Sequence, residues 1–277
     1  METPRSNDAV RQTTGIHETS SPEWALELDA VTCILDKKQT VLNNLSLRVA
    51  KGEICSVLGL SGAGKSTLLK TVAALLPVTE GRVHVLGKDI TTIGESELND
   101  VRKRIGVVFQ GGALFDFMTV RENVAFAPRE HRTMSEMAAY HLAEKLLATV
   151  GMAGTQDLLP GQLSGGMRKR VAIARALALE PELILYDEPT SGLDPVMSGI
   201  INDLIVSMRD QHGVTSITVT HDLKSAALIS DSMAILHKGQ IVASGRHMDL
   251  EQNPSPLVQQ FLKGNPHGPL TDNEPER

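Results

Sequence analysis

The sequence predicts an α/β fold: a mostly parallel β-sheet with helices on both faces. Three observations lead to this prediction. In the second half of the chain, short apolar runs typical of buried strands alternate with segments of helical spacing. The strand-like runs near the start follow one another too closely for crossover helices, so we expect an attached antiparallel β subdomain. A helical pattern over residues 133–150 adds a predicted α-helical subdomain.

The first half of the chain is predicted to contain mainly strands. These strands are Ala25–Val31, Val41–Val49, Ile54–Leu58, Val83–Leu86 and Arg104–Phe109. Trp24 stands at the start of the first, and a turn is expected at Gly87–Asp89. A helix is predicted between Gly64 and Pro77, because the apolar residues there follow the spacing of one helix face. They are Leu68, Leu69, Val72, Leu75 and Leu76.

The second half is predicted to alternate between helices and strands. The expected inward positions of helix 133–150 are Met137, Tyr140, Leu146 and Val150. In the next helix, Gly165–Leu179, four residues share a face: Met167, Val171, Ala174 and Ala178. The elements that follow are strand Leu183–Tyr186, helix Val196–Gln211, strand Ser216–Val219, helix Leu223–Ser230 and strand Met233–Leu236.

Composition bounds the class of protein. The 277 residues are 41% hydrophobic and 22% charged, as in ordinary globular proteins. The net charge of −6 argues against a nucleic-acid partner. The two cysteines, Cys33 and Cys55, form neither a metal spacing nor a disulfide framework, so we expect two buried thiols in a reducing compartment.

The two ends of the chain differ in composition from the segment between them. Residues 1–22 are predicted to be a disordered tail and residues 263–277 a loose one, which leaves one domain over residues 23–262. No window approaches the roughly 20 apolar residues that span a bilayer, and the start lacks the apolar run of a signal peptide. We therefore expect a cytosolic protein whose membrane work is done through a partner.

The strongest motif is a glycine-rich loop between a predicted strand and a predicted helix. It matches the pattern G-x-x-x-x-G-K-[ST] and comprises Gly59, Leu60, Ser61, Gly62, Ala63, Gly64, Lys65, Ser66 and Thr67. Its backbone N–H groups and the helix N-terminus are suited to surround phosphates. Lys65 should reach the β- and γ-phosphates of a nucleotide, and Ser66 should hold Mg²⁺. Alone, this motif also fits a kinase, a GTPase or a motor.

Two further motifs narrow the chemistry. The apolar strand from Leu183 ends in Asp187 and Glu188; the first is placed to bind the metal and the second to polarise an attacking water. Ser164 is a good helix N-cap, and Gly165 and Gly166 would let a phosphate come close to the helix start.

Together these motifs resemble the set found in ABC ATPases, over roughly residues 26–261. The set is Gly59–Thr67, Gln110, Leu163–Met167, Leu183–Glu188, Ser191–Asp194 and His221. The resemblance implies a P-loop NTPase fold of the RecA-like type, with a helical subdomain at about residues 111–165. It also implies two such domains with two ATP molecules and Mg²⁺ between them.

Individual roles follow from the resemblance alone. It implies that Glu188 is the catalytic base, that His221 contacts the γ-phosphate, and that Gln110 contacts the metal and senses the membrane partner. By the same resemblance, Ser164, Gly165 and Gly166 act on the nucleotide of the opposite subunit, and Asp194 lies at the dimer interface. Asp187 and Ser66 complete the metal site.

Two positions depart from the family pattern. Met167 stands where many members carry Gln, so a polar role is missing there. Many members also offer an aromatic ring to adenine ahead of the cradle, whereas Val31–Leu42 contains none and Leu35 lies near that position. Trp24 is the nearest aromatic residue and is expected to lie too far away.

The segment after Gln110 is similar to that of the ATPases of Mla-type, MCE-associated phospholipid transporters. The similarity covers Phe109–Val120, Glu122–Ala125, Pro128–His131, Leu163–Arg170, Gln260–Gly264 and Gly268–Pro269. It implies a homodimer at the cytoplasmic face of the inner membrane, an integral-membrane permease and an MCE-domain lipid-binding protein. Leu114 and Phe115 would then form the groove where the permease docks.

Two alternatives remain open from the sequence. The chain could be the ATPase of an importer for another small substrate, such as amino acids or metal complexes. It could also be a P-loop regulator that binds ATP and moves nothing.

Overall fold

The computed structural model describes residues 23–35, 39–131 and 133–271. The predicted disordered tail, residues 1–22, lies outside them. The strands are β1 (Trp24–Leu35), β2 (Gln39–Ala50), β3 (Ile54–Leu58), β4 (Glu80–Val85), β5 (Lys88–Asp89), β6 (Ile105–Val108), β7 (Leu183–Asp187), β8 (Thr215–Thr220), β9 (Ser232–His237) and β10 (Gln240–Gly245).

These strands form two sheets, as the alternation of elements predicts. The main sheet has the order β10-β9-β3-β8-β7-β6; the strands from β9 to β6 are parallel and β10 is antiparallel to β9. The second sheet has the order β2-β1-β4-β5 and is antiparallel throughout. Lys88 and Asp89, expected in a turn, instead pair with β4 as the short edge strand β5.

The helices are α1 (Lys65–Val72), α2 (Glu95–Lys103), α3 (Val120–Glu130), α4 (Glu136–Thr149), α5 (Gly165–Leu177), α6 (Pro195–His212), α7 (Leu223–Ile229), α8 (His247–Glu251) and α9 (Pro256–Lys263). A single 3₁₀ turn, Pro160–Gln162, precedes α5. Helices α3, α4 and α5 pack against one another and form the helical part of the fold.

Two large apolar cores hold these layers together, and a smaller cluster contains Leu58, Ala226, Met233 and Leu250. One lies between the antiparallel sheet, α1 and the main sheet, and includes Leu26, Val49, Leu68 and Leu185. The other lies between the main sheet and helices α3 to α6, where buried residues include Val124, Leu147, Ile173, Tyr186 and Ile205. Burial of apolar surface on both faces of the main sheet explains why its strands read as continuous hydrophobic runs.

Helix α1 is shorter than the sequence predicts. It ends at Val72, and Ala74 takes a left-handed backbone conformation with φ of 55°. The carbonyl of Lys70 then accepts hydrogen bonds from the N–H groups of both Leu75 and Leu76. The predicted inward position of Leu75 is therefore wrong: its side chain is 53% exposed.

The helical part also differs from the prediction. Met137 was expected inside but is 72% exposed, whereas Val150 is buried as expected and Tyr140 is half-buried. Tyr140 lies beneath the guanidinium groups of Arg121 and Arg129, at 5.0 and 5.4 Å from its ring centroid. Helices α2 and α3 were not predicted. Helix α3 begins with a capping box between Thr119 and Glu122, a signal that the sequence carries.

The described residues after α9, up to Thr271, are held by hydrogen bonds to Gln260, although a loose tail was predicted from residue 263. The Gln260 side chain is buried and accepts a hydrogen bond from the N–H of Leu270 at 2.8 Å. Its amide nitrogen donates to the carbonyl of Asn265 at 3.1 Å, and Leu270 is buried. Leu270, an apolar residue in a segment rich in Pro and Asn, therefore anchors a part of the chain that composition alone predicts to be loose.

Cys33 and Cys55 are buried free thiols, as predicted, and burial raises the pKa of Cys55 to about 12. Among the residues that the structure describes, no helix is both long and apolar enough to cross a membrane.

Candidate active site

A cleft of about 500 Å³ lies where three neighbouring parallel strands end. Strand β3 leads into the glycine-rich loop, β7 ends at Asp187, and β8 ends one residue before His221. Since β3, β8 and β7 are adjacent and parallel, their loops meet at one edge of the sheet, the usual place for a ligand in such folds. The cleft is lined by Leu35, Gln39, Val41, Ser61, Gly62, Gly64, Lys65, Ser66, Thr67, Gln110, Asp187, Glu188 and His221.

The glycine-rich loop forms the floor of this cleft. Gly64 is the N-cap of α1 with φ of 108°, and a Cβ there would lie 3.0 Å from the carbonyl oxygen of Val41. Both facts require glycine. The Lys65 ammonium donates to the carbonyl of Gly59 at 2.7 Å and to that of Leu60 at 3.3 Å. Ala63 is buried beneath the loop. The lysine is thus held across its own loop, facing the cleft.

Asp187 faces the loop from the end of β7. The Ser66 hydroxyl donates to Asp187 Oδ1 at 3.4 Å. Burial raises the pKa of Asp187, a hydrogen bond from Ser66 lowers it, and the negative charge of Glu188 raises it further; the net shift is upward. A carboxylate in this position gains from a nearby cation, because a cation favours its charged form.

Glu188 has several partners that fix its carboxylate. His221 Nδ1 lies 2.9 Å from Oε2, and the Thr220 hydroxyl donates to the same oxygen at 3.2 Å. Lys65 Nζ lies 3.6 Å from Oε1. The backbone of Glu188 has φ of 49°, a left-handed conformation that is uncommon outside glycine and costs about 1–3 kcal/mol. Such strain is typical of functional sites.

Gln110 lines the same cleft from the end of β6. Its amide Nε2 donates to the Ser191 hydroxyl at 3.4 Å, which joins the residue after β6 to the loop after β7. His221, Gln110, Asp187, Glu188 and the glycine-rich loop therefore converge, as predicted from their order in the sequence.

Six predicted residues do not line this cleft: Gly59 and Ala63 of the glycine-rich loop, and Ser164, Gly165, Gly166 and Asp194. Ser164 caps α5 by accepting from the N–H of Met167 at 3.3 Å. A Cβ on Gly165 would meet only Leu193 at 3.8 Å, so Gly165 presents an open surface, whereas Gly166 packs tightly against Met197 of α6. Asp194 caps α6 by accepting from the N–H groups of Val196 and Met197 at 2.9 and 3.0 Å.

Two neighbours of Glu188, Thr220 and Lys169, are not among the predicted site residues. Lys169 lies on α5 and donates to the carbonyl of Glu188 at 2.8 Å. Helical spacing places Lys169 on the same face of α5 as Gly166 and Ile173, but spacing alone does not indicate that this face is buried or that it contacts Glu188. Trp24, by contrast, lines a different cleft, where Arg48 lies 5.8 Å from its ring centroid.

This arrangement places the chain among the P-loop nucleoside triphosphatases, in which a phosphate cradle and a metal-binding carboxylate meet at the ends of neighbouring strands. The family model described as ABC transporter matches residues 42–191. The chain therefore belongs to the ABC transporter family, and it is an ATPase of that family.

Relatives agree with this assignment over most of the chain. The intermembrane phospholipid transport system ATP-binding protein MlaF of Haemophilus influenzae is 40% identical over 84% of this chain and 88% of its own length. The probable ribonucleotide transport ATP-binding protein mkl of Mycobacterium bovis is 39% identical over 83% of this chain and 64% of its own length.

Solved structures share the fold. The dimeric structure of a post-hydrolysis state of an ATP-binding cassette, bound to ADP and phosphate, superposes with a TM-score of 0.74. It is 32% identical to this chain and covers 80% of it, and 98% of that structure is matched.

Proposed function

We propose that this chain is the ATP-hydrolysing subunit of a transporter that moves phospholipid at the inner membrane. One observation carries the proposal: 40% identity to MlaF of Haemophilus influenzae extends over 84% of the chain, well beyond the catalytic motifs. Motifs for ATP hydrolysis are shared by all members of the family, so similarity outside them is what bears on the substrate.

The geometry supports the following division of labour in hydrolysis. Ser61, Gly62, Gly64, Lys65 and Thr67 line the cleft and are placed to hold the phosphates of ATP. Glu188 would position the attacking water, because its carboxylate is fixed in the cleft by neighbours on two sides. His221 would hold Glu188 and contact the γ-phosphate. Positioning and charge stabilisation of this kind account for most catalysis of phosphoryl transfer.

Mg²⁺ fits the donors that the cleft contains. Ser66 and Asp187 are already within hydrogen-bond distance of each other, and Gln110 lines the same cleft. A hydroxyl, a carboxylate and an amide oxygen, together with phosphate oxygens, are the hard ligands that Mg²⁺ prefers. When bound, the ion would neutralise charge on the phosphates.

We infer that two copies of the chain form the active unit. Ser164 and Gly165 are exposed and lie outside the cleft of their own chain. The N-terminus of α5, with its free N–H groups and positive partial charge, suits a phosphate that a second chain would bring. Asp194 begins α6 beside this surface and would lie at the interface. The related cassette bound to ADP and phosphate is dimeric.

An aromatic surface on the helical part is the proposed contact for the permease. Phe115 packs against Phe126 and Phe117, with ring centroids 4.8 and 5.9 Å apart, and Phe117 is 78% exposed. The buried Asn123 side chain fixes the loop by bonding both the N–H and the carbonyl of Phe115. A rigid loop that holds an aromatic ring in solvent is typical of an interaction site.

The rest of the assembly follows from the same similarity. The partners would be an integral-membrane permease and an MCE-domain lipid-binding protein, with this chain bound peripherally at the cytoplasmic face of the inner membrane. Transport of a ribonucleotide is the second candidate function, because mkl, whose name gives that substrate, is 39% identical.

Reconstitution distinguishes these candidates. The chain is purified from membranes with its permease, and the complex is placed in vesicles that contain either a fluorescent phospholipid or an encapsulated ribonucleotide. Phospholipid movement that needs ATP and is lost with Glu188→Gln supports the proposal. ATP-dependent movement of the ribonucleotide alone favours the second candidate. If the protein purified from membranes hydrolyses ATP but carries no permease, a regulator that transports nothing is favoured.

A further inference from the structure

Glu188 and Lys169 are the two charged residues that are buried in the described part of the chain, at 8% and 6% exposure. They contact each other in an unusual way: the Lys169 ammonium donates to the backbone carbonyl of Glu188 at 2.8 Å, not to its carboxylate. Burial of an ammonium group costs free energy unless its charge is paired and hydrogen-bonded. Burial lowers the pKa of Lys169, and the charges of Glu188 and Asp187 oppose that shift.

The backbone of Glu188 needs such support. Its left-handed φ of 49° is strained, and strain of this kind persists only where the surroundings fix it. Three hydrogen bonds do so: Glu188 N–H donates to the carbonyl of Val219 at 2.9 Å, and its carbonyl accepts from Ser191 N–H at 3.2 Å and from Lys169. Val219 and Ser191 belong to the neighbouring strand and loop. Lys169 alone among the three comes from α5.

We propose that Lys169 is a positioning residue for ATP hydrolysis, which holds the Glu188 backbone in its left-handed conformation and makes the direction of the Glu188 carboxylate depend on the position of α5. The inference rests on the proposed role of Glu188 in positioning water. Rotation about the Glu188 backbone swings its carboxylate away from Thr220 and His221, which hold it at 3.2 and 2.9 Å.

This contact has a consequence for the dimer. Lys169 lies five residues after the N-cap Ser164, or about 7.5 Å along the helix axis. The start of α5 is the surface proposed to close over the nucleotide of the second chain. When the N-terminus of α5 contacts that nucleotide, Lys169 moves with the rest of the rigid helix. The Glu188 carbonyl of the same chain, to which Lys169 donates, is then shifted as well. Each chain would thus position its own Glu188 according to the occupancy of its partner's cleft.

The test compares substitutions of Lys169 in the full chain, purified with its permease. Lys169→Met keeps an unbranched side chain and removes the donor, whereas Lys169→Arg keeps a cationic donor. We expect Lys169→Met to lower kcat for ATP by about 100-fold, the cost of a small misplacement of a catalytic group. KM for ATP should stay within a few-fold, because Lys169 does not line the cleft. Lys169→Arg should recover most of the lost kcat.

Arg170→Met is the matched control. Arg170 follows Lys169 on α5 and also donates to a backbone carbonyl, that of Gly151 at 3.0 Å, far from Glu188 in the sequence. Its loss should lower the unfolding temperature and leave kcat unchanged. If Lys169→Met does not fold, Lys169→Leu, which also lacks a donor, takes its place with the same expected split between kcat and KM.

Three results would overturn the inference. They are a folded Lys169→Met or Lys169→Leu protein with kcat within threefold of wild type, a parallel loss in Arg170→Met, or a Lys169→Arg protein as slow as Lys169→Met. Glu188→Gln separates this failure from that of the proposed function. If Glu188→Gln hydrolyses ATP normally, the role of Glu188 itself is wrong; if it is inactive while Lys169→Met is active, only the role of Lys169 is wrong.

Discussion

Recognition of the nucleotide base should be weak, because the cleft offers no aromatic ring to it within the described residues. Leu35 and Val41 are the apolar residues beside the glycine-rich loop, and Gln39 is the polar one. An apolar side chain on a ring face contributes dispersion and area but reads no hydrogen-bonding edge. We therefore predict that GTP is hydrolysed nearly as well as ATP, within about tenfold in kcat/KM.

The expected size of this effect follows from the stacking interaction that an aromatic side chain would make with the base. Stacking of a base on an aromatic side chain contributes about 1–3 kcal/mol, which is roughly 5- to 150-fold in affinity. Leu35 already supplies part of this through contact area, so Leu35→Tyr should tighten binding of both nucleotides by about tenfold or less. Leu35→Met is the matched control, since it conserves volume without adding a ring and should leave affinity within about twofold.

The assay measures kcat/KM for ATP and GTP on the purified complex, and binding of both nucleotides to each Leu35 variant. A preference for ATP above about 100-fold, close to 3 kcal/mol, would refute the reasoning. Some other residue would then read adenine. Trp24 is removed from that role because it lines a different cleft, so Gln39 would be the first residue to test.

Three further predictions concern the dimer, the permease and helix α7. In a mixed dimer, Lys65→Ala in one chain and Ser164→Arg in the other damage the same composite site, so one nucleotide per dimer should still be trapped. A dimer that carries both changes in one chain and none in the other has both sites damaged and should trap no nucleotide. Equal trapping by the two dimers would contradict composite sites. Phe117→Ser, or Leu114→Ser with Phe115→Ser, should abolish permease-dependent membrane recruitment and lipid transport, while the exposed Met137→Ser should not; unchanged recruitment would rule out this surface. Asp222→Ala should lower the free energy of unfolding by about 0.5–2 kcal/mol, because Asp222 caps α7 by accepting from Ser225 N–H at 3.1 Å. Burial would raise the pKa of Asp222, but hydrogen bonds from Ser225 and Thr190 lower it overall. This stabilisation should therefore be present above the unfolded pKa of about 3.9 and be lost as the pH falls through the lower folded pKa. A difference between Asp222→Ala and wild type that grows on acidification in chemical denaturation would contradict it.

Much of the fold could be predicted because strong local signals agree with one another. Strand β3, the glycine-rich loop and α1 are specified by an apolar run, fixed glycines and helical spacing in sequence order. The main errors arose where tertiary packing decides. Met137 has the spacing of an inward residue, but the buried face of α4 runs through Ala139, Ala143 and Leu147.

The order of motifs along the chain predicts which residues meet at the candidate site, but it gives no information on residues that contact them from elsewhere in the fold. Asp187, Glu188 and His221 line one cleft, and their roles in hydrolysis stay predictions. Lys169 belongs to another motif, and its contact with the Glu188 carbonyl depends on how α5 packs against β6 and the neighbouring helices. Nothing in the sequence indicates that Glu188 adopts a left-handed backbone, since that conformation results from hydrogen bonds to Val219, Ser191 and Lys169.

The role of Glu188 is the centre of this account, and its carboxylate can be removed with little change in shape. Glu188→Gln should bind ATP with Mg²⁺ and form a stable dimer, while its turnover falls by about 10²–10⁴-fold, the usual contribution of a general base. Lys65→Ala should weaken ATP binding as well. Glu182→Gln, which removes a carboxylate paired with Arg104 just before β7, should hydrolyse ATP as wild type does.

The most direct measurement is single-turnover hydrolysis of bound ATP by the Glu188→Gln complex, with the Glu182→Gln complex beside it. We predict that bound ATP stays intact in the first complex and is hydrolysed at the wild-type rate in the second. Hydrolysis by Glu188→Gln within a factor of a few of wild type would contradict the assignment of the site.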